Sequence, residues 1–358
     1  MESSRIRFGI IGCATIARKV SRAILLSSNA TISAVASRSL ANAQHFLSAN
    51  GLPASVRAHG SYEAMVDDAS VDAVYVPLPT GLHVRWAVAA AERGKHVLLE
   101  KPAAACLSDL DRILEACRSN GVQFMDGSMW LHHPRTERMK EILAAHDFGP
   151  LKMIHCSSTF SATPNFLQNN IRVKHDLDSL RALGDLGWYC VGAILWAVDD
   201  QLPDTVTALP SLHLNQSGVI LACAAAFHWT DHDMIATFHC SFLSNFSMDL
   251  SVHGTNASLQ VKDLAIPYQE SSATFDFTCG AKFADLHIGW SRKPEEVVVQ
   301  TDLPQEALMI EEFSRIVGNI KNSNCRPDSK WPEVTRKTQM MVDAVKSSIE
   351  LGFTPVDL

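Results

Sequence analysis

The sequence predicts an α/β protein: a doubly wound parallel sheet at the N-terminus, then an α+β domain built on a large, mostly antiparallel open sheet. Three observations predict it. Short apolar runs alternate with helix-like stretches through the first 125 residues. A tight turn of small residues follows the first of those runs. From residue 151 onward strand-like runs follow one another directly. Alternating strands and helices imply a parallel sheet covered on both faces, whereas successive strands pair antiparallel.

The elements justify this in order. Residues 6–11, 32–36, 73–76, 96–99 and 122–125 read as buried strands. Residues 16–26, 40–50, 82–93 and 110–119 lie between them, with apolar positions near helical spacing. Gly51, Gly94 and Gly121 follow three of these helices as stops. Ser108, three residues before Asp111, has the layout of a capping box. Further on, strands are expected over 219–229, 235–243, 246–252 and 258–261. Alternation is plain in Phe238-His239-Cys240-Ser241-Phe242 and in Met248-Asp249-Leu250-Ser251-Val252. Asn245 and the stretch Gly254-Thr255-Asn256 mark turns. One helix over 185–197 interrupts this sheet, and two more, near 306–320 and 333–351, close the chain. No long linker intervenes, so residues 1–126 are expected to form the first domain and 127–358 the second.

Composition narrows the partners. The 358 residues are enough for two domains, and 47% hydrophobic with 19% charged residues is ordinary for a folded globular chain. A net charge of −7 and the lack of a basic stripe argue against nucleic acid. The longest apolar run, 191–198, falls far short of the roughly 18–20 residues that span a bilayer. Met1-Glu2-Ser3-Ser4-Arg5 lacks a signal-peptide layout. Nine cysteines without a CxxC pair argue against a disulfide framework and predict reduced thiols in the cytoplasm. The stretch His228-Trp229-Thr230-Asp231-His232-Asp233 could offer metal ligands, but in a strand–turn setting its side chains need not converge and no third ligand is evident, so no metal is expected.

The first strand runs into Gly12-Cys13-Ala14-Thr15-Ile16-Ala17. This is the G-x-G-x-x-G/A layout of a Rossmann domain, with alanine in second place. Its glycine permits the tight turn, its small residues admit pyrophosphate, and the helix start offers N–H groups. The second strand ends in Ser37-Arg38-Ser39, where an NAD site usually carries an acid for the ribose 2′-hydroxyl. Arg38 and Ser37 instead suit a 2′-phosphate, which points to NADP(H). The bland reading is a solvated arginine beside a helix cap.

Glu100-Lys101-Pro102 ends the fifth strand, and ligands sit beyond the carboxyl ends of such strands. A lysine there can hold a substrate oxygen while charge moves. Its bland reading is an ion pair with Glu100. Gly184-Asp185-Leu186-Gly187-Trp188-Tyr189 sets Asp185 and Tyr189 four apart, on one face if helical. Close backbone approach to a ligand would explain the two glycines. Next to an ammonium, Tyr189 would serve as a general acid/base. The bland reading is a capping aspartate and a core tyrosine.

In their order and spacing these motifs resemble the Gfo/Idh/MocA oxidoreductases. The resemblance is greatest to the branch of dimeric dihydrodiol dehydrogenases and NADP-dependent D-xylose dehydrogenases, and within it to plant cytosolic members. Met125-Asp126-Gly127-Ser128-Met129-Trp130, and Trp331-Pro332 onward to Asp343, add to it. The resemblance implies Lys101, Asp185 and Tyr189 as the catalytic set. It also implies Pro79, Thr80 and His83 near the nicotinamide ribose, Glu100 and Lys101 among the cofactor-binding residues, and a homodimer through the open sheet face. Trp130, Phe160 and Arg172 are candidates for the substrate pocket. Ala14 departs from the usual glycine of this family. The activity implied is hydride transfer between NADP(H) and a hydroxyl or carbonyl carbon of a sugar, diol, dicarbonyl or specialised metabolite. The alternatives are a non-catalytic NADP-binding sensor, or a lyase or hydrolase using the nucleotide transiently.

Overall fold

Six short strands build the first sheet of the computed structural model, which describes residues 5–170, 173, 180–323 and 325–358. They are β1 (Ile6–Ile11), β2 (Ala30–Ala36), β3 (Arg57–His59), β4 (Ala73–Val76), β5 (His96–Leu99) and β6 (Phe124–Asp126). Between them run α1 (Thr15–Leu26), α2 (Leu40–Ala49), α3 (Tyr62–Val66), α4 (His83–Glu92) and α5 (Leu107–Ser119). The order is β3-β2-β1-β4-β5-β6, parallel throughout. β4 and β5 are buried at every position, as strands covered on both faces must be. Strand order reverses between β1 and β4, so a crevice opens beyond their carboxyl ends.

Gly51, Gly94 and Gly121 take φ of +58°, +69° and +64°, the left-handed stops expected after three helices. The Ser108 capping box does not form. Helix α5 starts three residues earlier than expected, on Cys106, which gives no side-chain cap. Asp111 then lies inside the helix and pairs with Arg336 at 2.7 Å.

The second sheet has ten strands: β7 (Leu151–Ser161), β8 (Thr205–Ala208), β9 (His213–Leu214), β10 (Ile220–Trp229), β11 (Met234–Ser241), β12 (Leu243–Gly254), β13 (Ala257–Val261), β14 (Ser272–Cys279), β15 (Glu295–Gln300) and β16 (Val356–Asp357). Its order is β15-β14-β13-β12-β7-β11-β10-β8-β16, with β9 on β10. Only the β7–β11 pairing is parallel. Helices α6 (Pro134–Leu143), α7 (Pro164–Asn169) and α8 (Trp188–Ala197) belong to the same unit. α8 is apolar nearly all round, and seven of its last nine residues are buried. Along β7 and β11 side chains alternate, leaving Met153, His155, Ile235 and Thr237 on the open face. Asn245 is not a turn. It lies within β12, where the register on β7 shifts between Leu243 and Ser247, and its carbonyl accepts from Thr159 Oγ1. Phe242 alone separates β11 from β12.

The chain divides into Met1–His132 with Leu303–Gln339, and His133–Asp302 with Met340–Leu358. Beside the expected 1–126 and 127–358, the first unit also takes in residues 127–132, the helix α9 (Gln305–Ser323) and the first half of α10 (Lys330–Glu350), up to Gln339. α9 packs on the first sheet: Phe313 meets Phe8 at 5.8 Å, and Glu311 accepts from Ser28. The start of α10 is tied there by Thr335, which donates to Asp126, and by the stack of Trp331 on His132.

Candidate active site

The turn after β1 needs its glycine. Gly12 has φ +115°, and a Cβ there would lie 2.8 Å from Leu78 Cδ2. Gly12 N–H donates to Ala36 O, which lays the turn across the end of β2. Ala14 caps α1 without a side-chain hydrogen bond, and the first turn of the helix carries no acid. The leading N–H groups of a 12-residue helix are therefore left to an anion. Cys13, Ala14, Thr15 and Ile16 are all at least partly exposed beside them.

At the end of β2, Ser37 is buried and Arg38 exposed. Ser37 stands within hydrogen-bond reach of the Cys13 thiol, whose pKa burial pushes up against that bond. Arg38 faces Tyr62 at the start of α3. Tyr62 in turn packs edge-on against Trp86 at 5.1 Å. The Arg38 guanidinium thus sits at the sheet's carboxyl edge beside an aromatic wall that was not foreseen in the sequence. Together, an uncapped helix start, a glycine that leaves room and an arginine at the end of β2 fit a phosphorylated dinucleotide.

After β4, Pro79 opens a short 3-10 turn over Thr80–Leu82, and Thr80 is buried. His83 is 1% exposed. Its Nε2 lies 2.7 Å from Leu78 O and its Nδ1 3.1 Å from Ala103 O. It ties this turn to the chain leaving β5. A neutral ring carries one N–H and donates to one carbonyl at a time. Burial holds the His83 pKa below its ordinary value, the carbonyls opposing.

β5 ends at Glu100, whose carboxyl group is enclosed. Tyr75 donates to its Oε1 at 2.5 Å, and Lys101 N–H to its Oε2 at 3.3 Å. Burial raises the Glu100 pKa, which Tyr75 and Lys101 oppose. A Cβ on Gly127 would come within 3.0 Å of Glu100 Oε1, so the glycine after β6 makes room for this carboxyl. Asp126 is held by Ser128 N–H and by Thr335. Lys101 follows, half-buried, on a cis bond to Pro102. Tyr75 escaped sequence reasoning because it reads as one more apolar position in Ala73–Val76. The usable signal is that a buried tyrosine hydroxyl requires a partner.

In the second unit Asp185 lies in a π-helical turn, Leu183–Gly187, that leads into α8. Tyr189 is the second residue of α8. Both are buried, at 9% and 7% exposure. π turns are rare and frequent at functional sites. The sequence suggested ligand approach as the reason for Gly187. The reason found is packing: a Cβ would meet Leu183 Cδ1 at 3.0 Å and Cys240 Sγ at 3.4 Å. Phe160, on β7, is walled by Phe166 and Phe242 at 5.3 and 5.1 Å. Trp130 is 1% exposed in the first unit. Arg172 lies outside the described residues.

A groove of about 960 Å³ lies between α5 and the start of α10, lined by Leu114, Cys117, Val122 and Pro332 among others. It adjoins the amino end of β6, whereas Gly12, Arg38 and Lys101 follow the carboxyl ends of β1, β2 and β5. Among the described residues no His, Cys, Asp and Glu group is placed to hold a metal ion. No helix among them is long and apolar enough to cross a membrane.

Strand order, turn and site together define a two-part oxidoreductase of the Rossmann class. A family model described as oxidoreductase family, NAD-binding Rossmann fold matches residues 6–128. Another, the GFO/IDH/MocA C-terminal domain, matches residues 136–260. The chain belongs to the Gfo/Idh/MocA family. It is 31% identical to a dTDP-3,4-didehydro-2,6-dideoxy-α-D-glucose 3-reductase of Streptomyces antibioticus, over 73% of this chain and 76% of that one. It is 39% identical to a D-xylose 1-dehydrogenase (NADP(+)) of Haloferax volcanii over 52% of its own length, and spans about half (55%) of that relative. In three dimensions it resembles KijD10, a 3-ketoreductase from Actinomadura kijaniata in complex with NADP and TDP-benzene. That likeness has a TM-score of 0.81 at 25% identity and covers 96% of this chain and 98% of that one.

Proposed function

We propose that this protein is an NADP(H)-dependent oxidoreductase acting on a hydroxyl or carbonyl carbon of a small molecule, with a sugar as the leading class. The observation that carries this is the uncapped start of α1 behind Gly12, with Arg38 at the end of the neighbouring strand. The relatives named for D-xylose and for a deoxysugar nucleotide support the substrate class. When bound, NADP(H) supplies or accepts the hydride. Lys101 holds the substrate oxygen and its developing negative charge. Tyr189 gives or takes the proton of that oxygen. Asp185 orients the substrate or Tyr189. Glu100, clamped by Tyr75, and His83, clamped between two carbonyls, are positioning residues for the chain around Lys101 and Thr80. Trp130, Phe160 and Arg172 stand as substrate-pocket residues, and Pro79 and Thr80 flank the nicotinamide ribose. The working form is a homodimer through the open sheet face. Nine free cysteines suit a cytoplasmic setting.

Titration with NADPH and NADH, followed by nicotinamide fluorescence, tests the cofactor reading. Tighter NADPH binding, with the preference lost in Arg38→Asp, is expected. Binding of neither nucleotide would sink it. A carbonyl and sugar screen then uses Lys101→Met as its control, expected to bind NADPH normally and to lose turnover by about 100-fold or more.

A further inference from the structure

Between β14 and β15 the chain leaves the sheet as a hairpin. Phe283 and Trp290 form an antiparallel bridge. Ala284 N–H donates to Gly289 O at 2.9 Å, and Ser291 N–H to Lys282 O at 2.7 Å. Lys282 N–H donates to Ser291 Oγ and Arg292 to Cys279 O, which holds the base. This defined arm carries Phe283, Leu286, Ile288 and Trp290 at 86, 97, 107 and 66% exposure. Side chains of this size present roughly 600 Å² of apolar surface between them, as much as the largest patch of a typical monomer. The arm contributes nothing to the core.

We propose that this hairpin is an arm that docks on a second copy of the same chain. The proposal rests on the dimer assigned above and adds a contact to it. Three observations favour a second copy. The first is area. A two-fold axis uses the arm twice, so two arms bring roughly 1,200 Å², the lower bound of a stable interface. The second is charge. From 282 to 293 the arm carries Lys282, Arg292 and Lys293 against Asp285, a net +2, whereas the chain as a whole carries −7. A basic arm therefore meets an acidic partner. The third is continuity: the arm grows from the sheet whose open face also exposes Met153 and Ile235. The neighbouring edge strand β15 is itself blunted by exposed Glu295 and Glu296, which disfavours strand addition. A lipid surface is the poorer occupant, because Asp285 sits between the apolar residues of the tip and Glu295 and Glu296 follow the base.

Light scattering and sedimentation of the full chain test this. The unmodified chain is compared with a variant carrying Phe283→Ser, Leu286→Ser, Ile288→Ser and Trp290→Ser. Circular dichroism and NADPH binding check its fold. The expected result is a wild-type species of twice 39.2 kDa, and a variant whose dimer dissociation constant is raised at least about 30-fold, so that it runs as a monomer at the same concentration. Hydrogen exchange on the unmodified chain gives an independent reading: amides 282–291 should be protected above the dissociation midpoint and released below it. A variant dimer of unchanged affinity, with no protection of the arm, overturns the arm and leaves the dimer standing. A wild-type monomer overturns both. Binding of the monomer to phosphatidylcholine–phosphatidylserine vesicles, lost in the variant, replaces this proposal with a membrane wedge.

Discussion

Gly12 combines a backbone angle that side chains avoid with a neighbour, Leu78, that fills the space a Cβ would take. Gly12→Ala should cost about 1–3 kcal/mol of stability and weaken NADPH by about tenfold or more, read by urea melts and fluorescence titration. Arg135 makes a different demand. It is 1% exposed and donates to the Asp263 carboxylate and to the carbonyls of Asp263, Leu264 and Thr274. Removing only the carboxylate leaves a buried guanidinium without its counter-charge. Asp263→Asn should therefore destabilise by about 3–5 kcal/mol in the same melts. The thiols sort by burial. Cys117, Cys156, Cys190, Cys223 and Cys240 are buried, while Cys325 is exposed and Cys13, Cys106 and Cys279 are intermediate. Burial pushes Cys117 up to about 12 and Cys190 well above the ordinary thiol range. Thiol-reactive dye should label the last four in the native protein and all nine only after unfolding.

Elements add constraints that no single residue shows. α1 starts without a cap, which costs helix stability and leaves N–H groups for a ligand. The π turn at Leu183–Gly187 lies close on β11: a side chain on Gly187 would meet Leu183, Cys240 and Phe238 within 4 Å. Gly187→Val overpacks that space. It should cost about 1–3 kcal/mol while NADPH binding, which rests on the other unit, stays unchanged. Equal losses of stability and of nucleotide affinity would contradict this division. α6 and α8 are joined by Lys140, which donates to Trp196 O at 2.5 Å and meets Asp199 at 2.7 Å.

For the molecule as a whole, three histidines set an acid limit. Burial lowers His96 to about 4, His132 to about 3 and His133 to about 4. In two of them a ring nitrogen accepts a backbone N–H, from Gln123 on His96 and from Arg135 on His133, which only the neutral ring allows. The unfolded chain binds these protons near pH 6.5, the folded chain only near pH 3–4. Stability should therefore be complete above pH 6.5 and fall as pH drops toward 4, by up to about 1.4 kcal/mol per pH unit for each group. Below that, Asp68, held to about 2 by its backbone and side-chain hydrogen bonds with Ser70 and His59 against burial, adds a further loss. Urea unfolding at pH 7.5, 5.5 and 4.5 measures the slope. A flat profile would show that these rings are protonated in the folded state.

The sequence by itself determined what is local. Continuous apolar runs place β1, β4 and β5 to the residue, and the glycines that end helices and open the first turn follow from backbone sterics. The motifs could be placed at strand ends because parallel sheets present ligands there. What only the tertiary structure decided depends on partners far along the chain. β3, β14 and β15 are too short or too polar to read as strands alone; they pair with the edges that β2, β13 and β14 offer in turn. The parallel match of β7 to β11 joins strands that no turn connects. α9 and the start of α10 follow the second sheet in sequence but pack with the first, through Phe8, Ser28 and Asp126. Tyr75 is apolar by its strand and polar by its partner, and Gly187 packs on β11 though its motif suggested a ligand. A side chain's pattern reports the face it occupies, whereas its role depends on which atoms the fold brings to meet it.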